Sequence, residues 1–133
     1  MRNDWFAGGV PRELPNHLGE EHRRRCQAYF RALREGNGDE AAALFSEQGV
    51  LDDLTGGQNV GRAQIKAFID SRPPLTLEES LNVISFPGRI NHYGRIHFND
   101  GVVMKVRWTF TFRGPDVEHL CNSRVHSLLG VDT

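Results

Sequence analysis

The stretch GVLDDLTGGQNVGR, residues 49–62, sets Asp52 and Asp53 side by side directly after an apolar run. On a strand, neighbouring side chains point to opposite faces, so one carboxylate is expected to face water and the other the interior. Parity makes Asp52 the solvated acid and Asp53 the inward one. A carboxylate at the mouth of an apolar cavity loses hydration, which raises its pKa toward the working range of a general base. Such a base removes a proton from a carbon next to a carbonyl, or from a hydroxyl. The charge that develops on the substrate oxygen then needs a donor aimed at it, and a buried tyrosine hydroxyl supplies one. A plainer alternative has Asp53 bonding the backbone of the following Leu-Thr-Gly-Gly turn, a common task for Asp ahead of Gly. Among the six histidines no pair has the i, i+4 spacing of a helical metal site, so neither metal nor cofactor is expected.

These residues need elements to hold them. From Glu20 to Glu35 the apolar residues Cys26, Tyr29, Phe30 and Leu33 fall at i, i+3, i+4 and i+7, one helical stripe closed by a glycine. A short second helix is expected over DEAAALFSE, with Asp39 near its start. The strand GVLDDL, a turn and a third helix, RAQIKAFIDS, follow; that helix carries Ile65, Phe68 and Ile69 on one side. Beyond Pro73-Pro74 the period changes to two. In VVMKVRWTFTFR, residues 102–113, Val102, Met104, Val106, Trp108, Phe110 and Phe112 alternate with polar neighbours, the pattern of a strand with one buried face. Flanking segments separated by Gly, Pro and Asn-Asp-Gly turns complete an antiparallel sheet. Helices first and a sheet afterwards predict an α+β domain with helices packed on one face of a curved sheet.

Composition narrows the partners. The chain has 133 residues, 16 basic and 17 acidic side chains, and a net charge of -1. That balance argues against nucleic acid, which needs a clustered positive surface. The basic run His22-Arg23-Arg24-Arg25 sits beside Glu20 and Glu21 and reads as a solvated helix face. Two distant cysteines, Cys26 and Cys121, suit a reducing compartment. No apolar stretch approaches the roughly 20 residues needed to span a membrane. Residues 1–19 lack a signal pattern and read as an N-terminal arm ahead of a single domain over 20–133. A cytoplasmic protein is expected.

The run YFRALREGNGDEAAALFSEQGVLDDLTGGQNVGRAQIKAFI resembles the SnoaL-like and ketosteroid-isomerase-like proteins of the nuclear-transport-factor-two-like superfold. The matching features are the helix ending REGN, Phe45 closing the second helix, the strand with an acid at its end, and GRAQIKAF opening the third helix. The resemblance implies a cone, a curved mixed or antiparallel sheet wrapped by three helices around an apolar pocket. It places Asp53 at the position of the proton-shuttling carboxylate and Tyr29 at that of the hydrogen-bond-donating tyrosine. It also makes Val106, Trp108, Phe110 and Phe112 the pocket wall, and dimerisation through the outer sheet face is common in this superfold. Ketosteroid isomerase is an established case of carboxylate tuning.

The sequence also departs from that pattern. Steroid isomerases add a second, protonated acid on the strand matching HLCNSRVHS. Gapless matching lands on Ser123, with no acid nearby. One register sends Cys121 and Ser123 inward, the other Asn122 and His126. The related epoxide hydrolases need an Asp-Arg-Asp set, and VMKVRWTF contains no acid. The expectation is therefore a cofactor-independent isomerase, cyclase or dehydratase. Its substrate is an apolar, oxygen-bearing molecule of the polyketide, terpenoid or steroid-like kind. Asp53 and Tyr29 are catalytic in this reading, and Val106, Trp108, Phe110, Phe112, Phe68, Ser123 and Asn122 contact the substrate. The alternative is a non-catalytic binding or assembly module of the same fold.

Overall fold

The computed structural model describes residues 16–73, 75–125, 127–128 and 131–132. The N-terminal arm up to residue 15 and His126 lie outside the described residues. Helix α1 (Asn16–Glu35) starts four residues ahead of Glu20 and buries Cys26, Tyr29, Phe30, Ala32 and Leu33, the stripe read from its spacing. It stops at Gly36, whose φ of 66° is left-handed. There the Gly36 amide bonds the Leu33 carbonyl and the Asn37 amide bonds that of Ala32, a glycine-terminated helix end. Asn37 at once caps α2 (Gly38–Ala43) by accepting from the Glu40 amide. The Gly38 amide donates to Asp70 of α3 (Arg62–Asp70) at 2.8 Å. A side chain at position 38 would overlap the Lys66 carbonyl, so glycine lets the two helices touch.

Phe45 does not close the second helix. It opens strand β1 (Phe45–Asp52), because its carbonyl receives two bonds from the Arg62 guanidinium, at 2.9 and 2.8 Å, and its backbone pairs with Val117. β1 turns back through β2 (Gln58–Val60) as a short hairpin. The remaining strands are β3 (Leu75–Phe86), β4 (Arg89–Phe98), β5 (Val103–Arg113) and β6 (Asp116–Arg124). They form a six-stranded sheet in the order β2-β1-β6-β5-β4-β3. The β1–β6 pair is parallel and the others antiparallel, so the sheet is mixed, curved and unclosed. β6 lies between β1 and β5, which leaves β2 and β3 as the edges. The chain beyond it forms a separate pair, β7 (Ser127–Leu128) with β8 (Val131–Asp132).

The alternation along β5 holds: Val106, Trp108, Phe110 and Phe112 are buried and Lys105, Arg107, Thr109 and Thr111 are not. Phe30 from α1 meets Trp108 edge-on at 5.0 Å and Phe110 at 5.8 Å, so α1 packs across the inner sheet face. His22 departs from the solvated-face reading. Its ring stacks on Phe112 at 3.9 Å, and its Nε2 donates to the Gly114 carbonyl at 2.7 Å. Among the described residues no helix is long and apolar enough to cross a membrane.

Candidate functional site

Asp53 stands just past the end of β1, where strand parity no longer applies. Its Oδ1 accepts from the Thr55 hydroxyl at 2.6 Å, the Gly57 amide at 2.9 Å and the Thr55 amide at 3.0 Å. Oδ2 has one long contact, the Asn59 amide at 3.4 Å. The backbone closes the same turn, with the Asp53 amide on the Gly57 carbonyl at 2.9 Å. Desolvation pulls the Asp53 carboxyl up, but the bonds from Thr55, Gly57 and Asn59 together outweigh it and hold it below its ordinary value. The rise expected of a carboxylate in an apolar mouth is absent. Asp52 keeps its outward place and meets Nε2 of His119 at 2.6 Å across the β1–β6 pair.

Tyr29 is 1% exposed. Its ring is held edge-on by Phe110 at 5.6 Å, Phe30 at 5.7 Å and Phe45 at 6.4 Å. Its hydroxyl makes no hydrogen bond of ordinary length and angle, although the Asn122 side chain comes near enough to act on it. Burial pushes the phenol well above its ordinary value, while the Arg72 charge and the Asn122 side chain pull back toward ionisation. Both helpers are themselves incompletely satisfied: Arg72 Nε and Asn122 Oδ1 are buried without partners. Arg72 follows α3, and its guanidinium lies 5.1 Å from the centre of the Phe68 ring. Three polar groups from α1, β6 and the end of α3 thus form one polar pole against an aromatic interior.

The strand register settles the β6 alternatives. Leu120 pairs with Phe110 and Asn122 with Trp108, so Asn122 shares the inner face with those buried residues. Ser123 pairs with Arg107, and its Oγ lies 3.7 Å from the Cys121 Sγ, so both belong to the outer face. Ser123 therefore drops out as an interior contact. Val106, Trp108 and Phe110 are fully buried as core residues, and Phe112 is spent on His22 and Phe110. Phe68 is half-buried against the core beneath Arg72.

Two further residues escaped the sequence reading. Arg72 gives no periodic signal, since it lies between α3 and Pro73. His92 did carry a signal, because Ile90, His92, Gly94 and Ile96 alternate inward along β4. It is 6% exposed and packs edge-on to Phe30 at 5.1 Å and Phe110 at 5.8 Å. Desolvation pushes its pKa down to about 4, against a pull upward from Glu79. Among the described residues no cluster of His, Cys, Asp and Glu could hold a metal ion.

Three helices on a curved, unclosed mixed sheet are the architecture of the nuclear-transport-factor-two-like superfold. The chain belongs to the SnoaL-like domain family, whose model matches residues 26–131. It is similar in structure to a candidate ketosteroid isomerase from Kribbella flavida, at 17% identity and TM-score 0.70 over 86% of this chain and 85% of that one. It is also similar to a candidate polyketide cyclase from Xanthomonas campestris, at 18% identity and TM-score 0.64 over 80% and 91%. The Anabaena Orange Carotenoid Protein binding canthaxanthin matches at 20% identity and TM-score 0.71, over 77% of this chain and 36% of that protein. Likenesses at these identities establish the fold. No curated protein matches the sequence.

Proposed function

We propose that this domain binds an apolar small molecule bearing a carbonyl or hydroxyl oxygen and carries out cofactor-independent proton transfer on it. The reaction is an isomerisation, cyclisation or dehydration, and the substrate is of the polyketide, terpenoid or steroid-like kind. The observation that carries this reading is the Tyr29 hydroxyl, wholly buried and without a hydrogen bond of ordinary geometry, with Asn122 and Arg72 close enough to act on it. A buried donor without an acceptor is what a substrate oxygen needs when negative charge develops on it. Trp108, Phe110, Val106 and Phe68 supply the apolar surroundings. Asp53 is the base: the turn fixes Oδ1 by three bonds and leaves Oδ2 with one long contact. The proton passes from a carbon next to the carbonyl to Oδ2, and the electron pair moves to the oxygen facing Tyr29. The likeness to a candidate isomerase and a candidate cyclase supports this reading.

A second reading is a non-catalytic binder, and a specific observation favours it. The bonds that fix Asp53 also hold its carboxyl below the ordinary value, which makes it a weak base. The likeness to a protein binding canthaxanthin points the same way.

The two readings separate in one experiment. The ketone 2-tetralone is incubated with the protein in D2O, and loss of its α-proton signals is followed by NMR. The enzyme reading predicts exchange above the buffer rate, slowed about 100-fold or more by Asp53→Asn and by a similar factor in Tyr29→Phe. Saturable binding with exchange at the buffer rate supports the binder. Neither binding nor exchange contradicts both.

A further inference from the structure

The flank of α1 turned away from Tyr29 carries a separate cavity of about 260 Å³, lined by Arg23, Gln27, Phe30, Glu79, Val83 and His92. Arg23, Gln27 and Phe30 are spaced i, i+4 and i+7, so they share one helix face. Gln27 and Tyr29, two residues apart, point about 200° from one another around the helix. The opposite wall comes from β3 and β4, whereas the Tyr29 pole is completed by α3 and β6. We infer that this cavity is a second small-molecule site and that it takes a small aromatic carboxylate.

Size sets the first limit. Drug-sized ligands occupy roughly 300–1,000 Å³, while a cavity of about 150 Å³ already admits benzene. A single ring with one or two substituents is the matching size. The floor is closed by the Phe30 and His92 rings, edge-on to each other at 5.1 Å and only 1% and 6% exposed, and the exposed side chain of Val83 supplies apolar surface. A flat ring laid on that floor meets the accessible ring edges and Val83 over one face.

Charge sets the second limit. The one carboxylate in the lining, Glu79, is held by Arg34 from the last turn of α1. Arg23 makes no ion pair among the described residues. Among the described residues the Arg23 cation of this lining thus has no carboxylate partner, and the lining also holds the Gln27 side chain. An arginine and an amide lining one cavity offer a carboxylate a charge-assisted bond and a neutral one. A cationic ring would meet Arg23 with the Glu79 charge already committed.

The test uses the wild-type chain with 13C-labelled histidine, titrated with sodium benzoate and, separately, with benzyl alcohol. Benzoate is expected to shift the His92 ring signals saturably, with benzyl alcohol and the Arg23→Gln variant each weakening binding about tenfold or more. Arg23 is exposed, so the variant keeps the fold, and its unliganded His92 signals verify this. Tyr29→Phe is expected to leave benzoate affinity unchanged. The inference is overturned by the absence of a saturable His92 shift at about 10 mM benzoate, a concentration where even millimolar ligands bind. Equal affinity for the alcohol, an unaffected Arg23→Gln, or loss of benzoate binding in Tyr29→Phe would also overturn it.

Discussion

Tyr29 carries a penalty that the fold does not require. Its hydroxyl is buried without a partner, an arrangement that costs about 1–3 kcal/mol relative to a satisfied or absent group. Tyr29→Phe keeps the ring and its three aromatic neighbours. The variant is expected to gain about 1 kcal/mol, read as a thermal midpoint about 4 °C higher, while losing ligand affinity. A gain in stability coupled to a loss of function marks a group retained for its site. His92 makes a second prediction at this scale. Its pKa falls from 6.5 unfolded to about 4 folded, so on acidification the unfolded chain takes up a proton first. Its contribution is complete above 6.5, lost as pH falls from 6.5 to about 4, and absent below. Asp53 and Glu78 have carboxyls held below their ordinary values and lose their contributions at lower pH. Thermal melts from pH 7.5 to 4.5 should show a slope that His92→Gln reduces, and NMR titration should place the ring near 4.

Two glycines test the elements. β3 shifts register between Glu78 and Asn82, opposite Gly94 of β4, and a side chain at position 94 would overlap the Glu78 carbonyl. Backbone cannot yield as a side chain does, so Gly94→Ala is expected to cost about 3 kcal/mol by chemical denaturation. Gly57 is different. A methyl there would lie 2.7 Å from Oδ2 and 3.2 Å from Oδ1 of Asp53, a side-chain carboxylate that the turn holds by three bonds. Gly57→Ala should displace the carboxylate and loosen those bonds at a cost of about 1–2 kcal/mol, less than at position 94, and slow 2-tetralone exchange as Asp53→Asn does. What the sequence revealed follows the same division. The α1 stripe and the β5 alternation were legible because each buries one face at its own period. Phe45 was misplaced because its strand role depends on Arg62 and Val117, both distant in the chain. The bulge at Gly94 and the parallel β1–β6 pairing are likewise tertiary facts with no local pattern.

On the scale of the whole molecule, the fold and the family were visible in residues 22–72, and the sheet completes them as expected. Of the candidate site, the placement of some side chains was legible and that of others was not. Tyr29 lies in the aromatic interior as foreseen, and the Asn122 alternative prevails over Ser123 once β5 and β6 fix their register. Asp53 could not be placed from parity, because the strand ends one residue before it. Arg72 could not be found at all without the packing of α3. The proposed oxygen-recognising pole lies where α1, the end of α3 and β6 meet. The most direct test labels the ring Cζ of the two tyrosines, Tyr29 and Tyr93, with 13C and titrates the protein with 2-tetralone. The account predicts a saturable shift of the Tyr29 signal as its hydroxyl gains an acceptor, with Tyr93 unmoved. A Tyr29 signal that stays fixed while the ketone binds elsewhere would contradict it.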